Sequence, residues 1–246
     1  MSPESGHFPM IRTVGTDGML VSFGDRLSEA ANRAALAFRA AVERAGWSGV
    51  EETSSSLVSA YLRFDPLGLS HADLTARLQD LIADRDWLEA PLPEGRRLHR
   101  IPTCYGGESG PQLAEAAEAA GMSEAEAVES LSGARVRVTA LGFAPGQPYL
   151  GELPEAWDIP RQQDLTPQVP KGALVLAIRQ FVIFSVTAPT GWRQVGQTAA
   201  PLFRMGDERP FLLAPGDEVI FPAVSEAEFA NMRAEAAGGA SWEALS

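Results

Sequence analysis

Hydrophobic and polar positions change rhythm several times along the chain, and each change marks an element. In Gly18-Met-Leu-Val-Ser-Phe-Gly24 the apolar run from Met19 to Phe23 is fenced by glycines and predicts a short strand. Ser28 then offers an N-cap, and Leu36, Phe38 and Val42 among many alanines predict a helix ending near Gly46. From Ser56 to Phe64, Val58, Ala60, Leu62 and Phe64 alternate with more polar neighbours, which predicts a second strand. Ser70 caps a second helix with Leu74, Leu78, Leu81 and Ile82 at helical spacing. The order β-α-β-α predicts a small N-terminal α/β domain with a split βαβ, ferredoxin-like character over residues 1–95.

Pro91, Pro93 and Gly95 interrupt the pattern, so a second domain is expected over residues 96–246. It opens with a strand from Leu98 to Tyr105. Two short helices follow, Leu113–Ala120 and Ser123–Leu131, and Ser123 with Glu126 has the capping-box spacing. After Ala134 the texture turns to short apolar strands separated by Gly and Pro: Val136–Leu141, Ala173–Ile178, Phe181–Val186 and Val219–Phe221. This texture predicts a mainly β barrel or sandwich, with the two helices near 111–132 outside it. Ser225–Ala236 reads as a closing helix, and the last residues are expected to fray. Taken together the chain reads as α+β and mainly β.

Composition narrows the partners. Hydrophobic residues make up 45% of the 246, enough for a packed core. The net charge of -12 is spread evenly, with 8 basic and 14 acidic side chains up to residue 95 and 12 and 18 after it. Such a surface repels phosphate backbones and anionic lipid, so neither nucleic acid nor membrane is an expected partner. Cys104 is the only cysteine and Lys171 the only lysine. No internal disulfide or cysteine metal site is possible. Met1 to Met10 lacks a charged segment leading into an apolar run, and no stretch of about 18 apolar residues occurs. A cytoplasmic location is expected.

Four segments are candidates for chemistry. Gly142-Phe-Ala-Pro-Gly-Gln-Pro-Tyr-Leu-Gly151 fixes a loop path with glycines and prolines, and it carries the Phe143 and Tyr149 rings. Such a loop either presents backbone N–H groups to a ligand or simply arches over a barrel mouth. Trp192 is a candidate wall of a small-molecule pocket, with Arg193 or Thr198 as polar contact; the alternative is a core indole beside a hairpin. Glu108, after Gly106-Gly107, has the chemistry of a general acid/base, although a lone loop carboxylate is usually just solvated. Arg161, after Pro160, suits a carboxylate, and equally an exposed Arg with no task. His7, His71 and His99 all precede the barrel-like region, so that region is expected to lack a histidine-based triad. There is no His-Glu-x-x-His and no phosphate-binding G-x-x-x-x-G-K-[ST], and no metal site is expected. Cys104 reads as a packed thiol.

The motifs, taken in order, resemble the family of 5-oxoprolinase B subunits. They are Cys104-Tyr-Gly-Gly-Glu108, the Gly142–Gly151 loop, Pro160-Arg161, Val169-Pro-Lys-Gly172, Gly191-Trp192, Gly196-Gln-Thr198 and Leu213-Ala-Pro-Gly-Asp217. The same family includes proteins once called allophanate hydrolase subunit 1 and the Kip inhibitor of a histidine kinase. The resemblance implies a C-terminal cyclophilin-like barrel and two partners: a homologous barrel protein, the 5-oxoprolinase C subunit, and the 5-oxoprolinase A subunit. It also implies ATP as co-substrate of the complex and conversion of 5-oxo-L-proline, a small lactam, to L-glutamate. The alternatives it leaves are a kinase-docking regulator and a hydrolase of ureido amides. The chain departs from the family pattern at Gln147, Glu152 and Thr190, and at Leu131 where the family often has His. On this reading Phe143, Pro145, Gly146 and Tyr149 contact the substrate. So do Arg161, Trp192, Arg193, Gln197 and Thr198, with Glu108 as the catalytic carboxylate. All are expected to lie in turns that meet at one barrel edge, inactive until a partner completes the enzyme.

Overall fold

The computed structural model describes residues 7–245, so part of the Met1–Met10 segment lies outside the described residues. Residue proximity divides the chain into two units, Met1–Glu94 and Gly95–Ser246. Overall the structure is mostly antiparallel sheet with some helices.

The N-terminal unit holds β1 (Met10–Val14), β2 (Gly18–Ser22), α1 (Glu29–Ala45), β3 (Val50–Ser56), β4 (Ser59–Phe64) and α2 (His71–Ala83). Both helices start where the sequence predicts. Ser28 Oγ accepts the Ala31 N–H at 3.2 Å, and Ser70 Oγ accepts the Asp73 N–H at 3.1 Å. Gly46 ends α1 in the left-handed region, with φ 58°. The strand order is β1-β2-β4-β3, every neighbour antiparallel. Strands β2 and β3 therefore run parallel to each other, with β4 between them and α1 as their connection. Phe38, Ala34 and Val42 of α1 pack on Val21, Leu62 and Phe64 of the sheet.

Two strands escape the sequence reading. The side chains of β1 are half-buried or exposed, so no alternation announces it. In β3, Glu51 to Ser56 are polar, and the predicted single strand from Ser56 to Phe64 is in fact the end of β3, a reversal at Leu57-Val58, and β4. Leu57 takes φ 49°, and the buried Asn32 of α1 donates to its carbonyl oxygen, which holds the reversal without a glycine.

The C-terminal unit begins with β5 (Arg97–Arg100) and β6 (Thr103–Tyr105), one predicted strand interrupted at Pro102. α3 (Leu113–Ala119) and α4 (Glu124–Gly133) follow, and the Ser123–Glu126 capping box is formed. Then come β7 (Val136–Leu141), β8 (Pro148–Gly151), β9 (Thr166–Val169), β10 (Ala173–Ala177) and β11 (Gln180–Ile183). β12 (Ala188–Thr190), β13 (Arg193–Thr198), β14 (Glu218–Ile220), α5 (Glu226–Met232) and β15 (Ser241–Ala244) complete the unit. The antiparallel path runs β7-β8-β11-β10-β13-β6. At its other side β14 pairs with β7 and, in parallel, with β5. The path returns to β6 through the bridge Thr103–Ala223, where the Thr103 N–H donates to Pro222 O at 2.9 Å. Strands β9 and β12 form a separate antiparallel pair.

The end of the chain differs from expectation. The closing helix stops at Met232, and residues 241–244 pair with β5 instead of fraying. Every side chain of β15 is exposed, so its pattern carries no signal; Trp242 lies under the Arg97 guanidinium, 5.4 Å from the ring centre.

Strand β10 is buried on both faces. Leu174 and Leu176 enter a core with Phe181, Ile183, Val195 and Phe221, which α3 and α4 cover through Ala116, Ala117 and Leu131. Ala173, Val175 and Ala177 face a second cluster with Val182, Phe184 and Trp192, beneath Val169 and Ala188 of the β9–β12 pair. Burial on both sides explains the unbroken apolar run in the sequence, and each large side chain there contributes about 1.5–3 kcal/mol. The β10–β11 hairpin turns on Ile178 (φ 46°) and Arg179 (φ 60°), neither of them glycine. The segment beside it compensates the strain: the Ile178 N–H donates to Ile159 O at 2.8 Å, and Arg179 Nε to Leu153 O at 2.9 Å.

Candidate functional site

The second cluster carries the polar and aromatic groups at its border. Trp192 stands at the entry to β13 and is buried to 7% exposure. Its backbone N–H donates to Thr190 Oγ1 at 3.1 Å. Tyr149 of β8 meets the indole edge-on, with ring centres 6.4 Å apart and planes at 76°. On the indole also lies the Arg161 guanidinium, 5.4 Å from the ring centre. Gln162 fixes that placement: its backbone N–H donates to Gly191 O at 2.7 Å and its Nε2 to Trp192 O at 3.0 Å. Gln112 donates in turn to Gln162 Oε1 and accepts the Gln194 N–H at 2.8 Å. Arg161 is exposed and has no carboxylate partner among the described residues. Stacking holds the guanidinium plane on the ring while its in-plane N–H groups stay free for an anion.

Phe143 lies at the same border. It is 72% exposed, takes φ 71°, and its ring is 6.5 Å from that of Phe184. Pro145 and Gly146 shape its loop. Gly146 has φ 73°, and a Cβ there would come within 2.6 Å of Leu202 O, so the close approach requires glycine. The structure thus gathers Tyr149, Arg161 and Trp192, with Phe143 joined through Phe184.

The remaining sequence candidates are employed elsewhere. Arg193 is committed to two bonds: its Nε donates to Glu115 Oε1 at 2.8 Å and its Nη1 to Pro160 O at 2.6 Å, tying α3 to the strand. Gln197 Nε2 donates to Lys171 O at 2.8 Å, and Thr198 Oγ1 accepts the Ala200 N–H at 3.2 Å. Glu108 is exposed in its glycine turn, and among the described residues no hydrogen bond, ion pair or ring contact joins it to Arg161, Tyr149 or Trp192. The expectation that these residues sit in turns is corrected: Tyr149 belongs to β8, and Arg193, Gln197 and Thr198 to β13. Most polar side chains of β13 are buried through hydrogen bonds, so alternation does not reveal the strand.

The histidine argument also needs correction. His99 lies in β5, inside the C-terminal unit, and is fully buried. Its Nε2 stands 3.1 Å from Asp217 Oδ2. Asp217 also accepts the N–H groups of Arg97 at 2.9 Å and Ala214 at 3.0 Å, and the Arg97 guanidinium at 3.2 Å. Burial pushes the Asp217 carboxyl up, but the His99 bond, the two backbone N–H groups and the Arg97 charge outweigh it and hold it below the usual carboxylate range. The pair clasps β5 to the turn before β14. Strand pairing across 118 residues hides it from any reading in chain order. No group of three or more potential metal ligands occurs among the described residues.

Over residues 9–213 the chain matches the family described as carboxyltransferase domain, subdomain C and D, and it has the fold of that class. It is 30% identical over 233 residues to the 5-oxoprolinase B subunit of Bacillus subtilis (strain 168), covering 89% of this chain and 94% of that protein. The chain belongs to the family of 5-oxoprolinase B subunits. The crystal structure of TTHA0988 superposes with a TM-score of 0.70 at 35% identity; the match covers 88% of this chain and 40% of that one. This chain therefore spans well under half the length of TTHA0988. The urea carboxylase of Kluyveromyces lactis has the same fold, with a TM-score of 0.69 at 17% identity, over 96% of this chain and 24% of that enzyme.

Proposed function

We propose that this chain is the lactam-handling member of a cytoplasmic, ATP-dependent 5-oxoprolinase. With the homologous C subunit and the A subunit it opens 5-oxo-L-proline to L-glutamate, and the assembled complex hydrolyses ATP as co-substrate. On this reading the C-terminal unit is a cyclophilin-like barrel, which the strand path returning to β6 supports. The N-terminal unit is a split βαβ, ferredoxin-like domain, which the insertion of β4 between β2 and β3 supports.

The observation that carries the reading is the Arg161 guanidinium held on Trp192, itself edge-on to Tyr149. 5-Oxo-L-proline has a carboxylate on a small, flat ring. Arg161 donates two parallel N–H bonds to the carboxylate, each charge-assisted bond worth about 1.5–3 kcal/mol, and Tyr149 and Trp192 wall the ring. Opening the lactam breaks its C–N bond with addition of water, and nothing among the grouped residues supplies the base. The water-activating and phosphoryl chemistry therefore belongs to the complex as a whole, and the chain alone is inactive.

The test is co-purification with the homologous barrel partner and the A subunit, followed by assay of 5-oxoproline-dependent ATP hydrolysis and glutamate release. Turnover is expected from the combination only. Robust turnover by this polypeptide alone, or none by the full combination, overturns the reading.

A further inference from the structure

Gln147 and Ser185 leave polar capacity unused beneath the Phe143 loop. Gln147 closes that loop, its backbone N–H donating to Ala144 O at 3.1 Å, and it is 2% exposed. Among the described residues its carboxamide makes one hydrogen bond, a long one: the Ser185 N–H reaches Oε1 at 3.4 Å. Ser185 is 7% exposed, and its Oγ is buried with no partner. A buried hydroxyl without a partner costs about 1–3 kcal/mol, and native proteins rarely keep such a group unless something else satisfies it. Their surroundings are apolar. Phe184 precedes Ser185, and the exposed Phe143 ring lies beside Phe184. Phe184 and Trp192 share one cluster, so this corner borders the Arg161 group.

The chemistry of the two side chains selects the ligand edge. A primary carboxamide shows one acceptor and one donor along a single edge. Its complement must show N–H and C=O on the same side, which is the edge of a cis amide. An ordinary trans amide shows them on opposite sides, and the cis form of a non-proline amide costs about 2.5–4 kcal/mol. A small lactam ring is locked cis and meets no such cost. Ser185 Oγ adds a second donor to the amide oxygen.

We propose that Gln147 and Ser185 form a cis-amide subsite that reads the lactam edge of the ligand, with Phe143 as its cover. The proposal rests on the reading of Arg161 and Trp192 as a lactam-acid site, and it assigns the recognition of the ring amide to residues outside that group.

Calorimetric titration of the full chain tests it with two probes: 5-oxo-L-proline and its lactone counterpart, which keeps the ring, carbonyl and carboxylate but lacks the N–H. The parent is expected to prefer the lactam at least tenfold. Gln147→Leu should weaken lactam binding at least tenfold and lactone binding by much less, because the lactone loses only the Nε2–H donor to its carbonyl. Ser185→Ala, which removes one atom and keeps the fold safe, should weaken both. Without ligand, Gln147→Leu should melt slightly below the parent, because the buried Ser185 N–H loses its acceptor. If the parent binds the lactam and both variants bind it equally well, the subsite is refuted and the Arg161 reading stands. If the parent binds neither probe, the Arg161 reading falls and the subsite with it.

Discussion

Gln162 Nε2 donates to the carbonyl oxygen of Trp192 at 3.0 Å, so the residue after Arg161 is fastened to the residue on which Arg161 stacks. Position and charge are thereby separated: Gln162 sets where the guanidinium lies, and Arg161 supplies it. The following expectations use that separation.

Arg161→Ala should cut kcat/KM of the assembled complex at least tenfold, about 1.4 kcal/mol in the barrier. Its melting temperature should stay within about 1 °C of the parent, since an exposed side chain away from the core carries little stability. Arg161→Lys should recover only part of the loss, because an ammonium lacks the planar fork. Equal turnover by the parent and Arg161→Ala removes Arg161 from the site.

Gln162→Ala should raise KM more than it lowers kcat, because the guanidinium loses its fixed place but not its charge. Arg161→Ala should then cost less in the Gln162→Ala background than alone, an interaction energy that a double-mutant cycle measures. Full additivity of the two substitutions would contradict the coupling.

Arg193→Met should destabilise the fold rather than the chemistry. The guanidinium is buried, and its loss leaves Pro160 O without a donor and Glu115 without a partner. A cost of about 2 kcal/mol follows, on the order of 6 °C in melting temperature. Glu115→Gln should cost well under 1 kcal/mol, because the Glu115 side chain is 52% exposed and screened by water. Thermal unfolding of both variants checks the asymmetry.

Asp217 should shape the acid limb of stability. Its folded pKa lies below the ordinary value of 3.8, so the folded state favours its ionised form. That contribution is fully present above the unfolded pKa of about 3.9 and is lost as pH falls through the lower folded value. Asp217→Asn should lower stability at neutral pH and flatten its decline below about pH 4. Urea unfolding at a series of pH values reads this directly, and an unchanged acid slope would count against it.

Glu108→Gln should change turnover less than twofold. The carboxylate is exposed, and among the described residues no hydrogen bond, ion pair or ring contact joins it to the grouped residues. A tenfold loss with normal assembly would restore it as the catalytic acid/base.

The sequence shows most clearly those elements whose burial is one-sided and whose ends are capped. α1 and α2 are legible because Ser28, Ser70 and Gly46 mark their limits and the buried positions recur at helical spacing. β1, β3, β13 and β15 are not, since their side chains are either exposed or buried through hydrogen bonds, and neither case produces alternation. In the site, Trp192, Tyr149 and Arg161 stand out by residue type. Gln147 and Ser185 do not, because a half-used carboxamide and a buried hydroxyl without a partner are properties of packing and look in the sequence like any loop glutamine or serine. His99 with Asp217 is hidden for a topological reason: β5 finds its neighbour near the far end of the chain.

Because β10 is covered on both faces, a one-residue slip of this strand has no acceptable outcome. In a half-buried strand a slip trades core side chains for solvent-facing ones. In β10 it would press Leu174 and Leu176 into the space of Ala173, Val175 and Ala177, while those small residues left voids against Phe181 and Phe221. Misaligned pairings of β10 are thus excluded by shape on either side. The amide hydrogens of Leu174 to Leu176 should be among the last in the C-terminal unit to exchange with deuterium, because their release needs both covering layers to open.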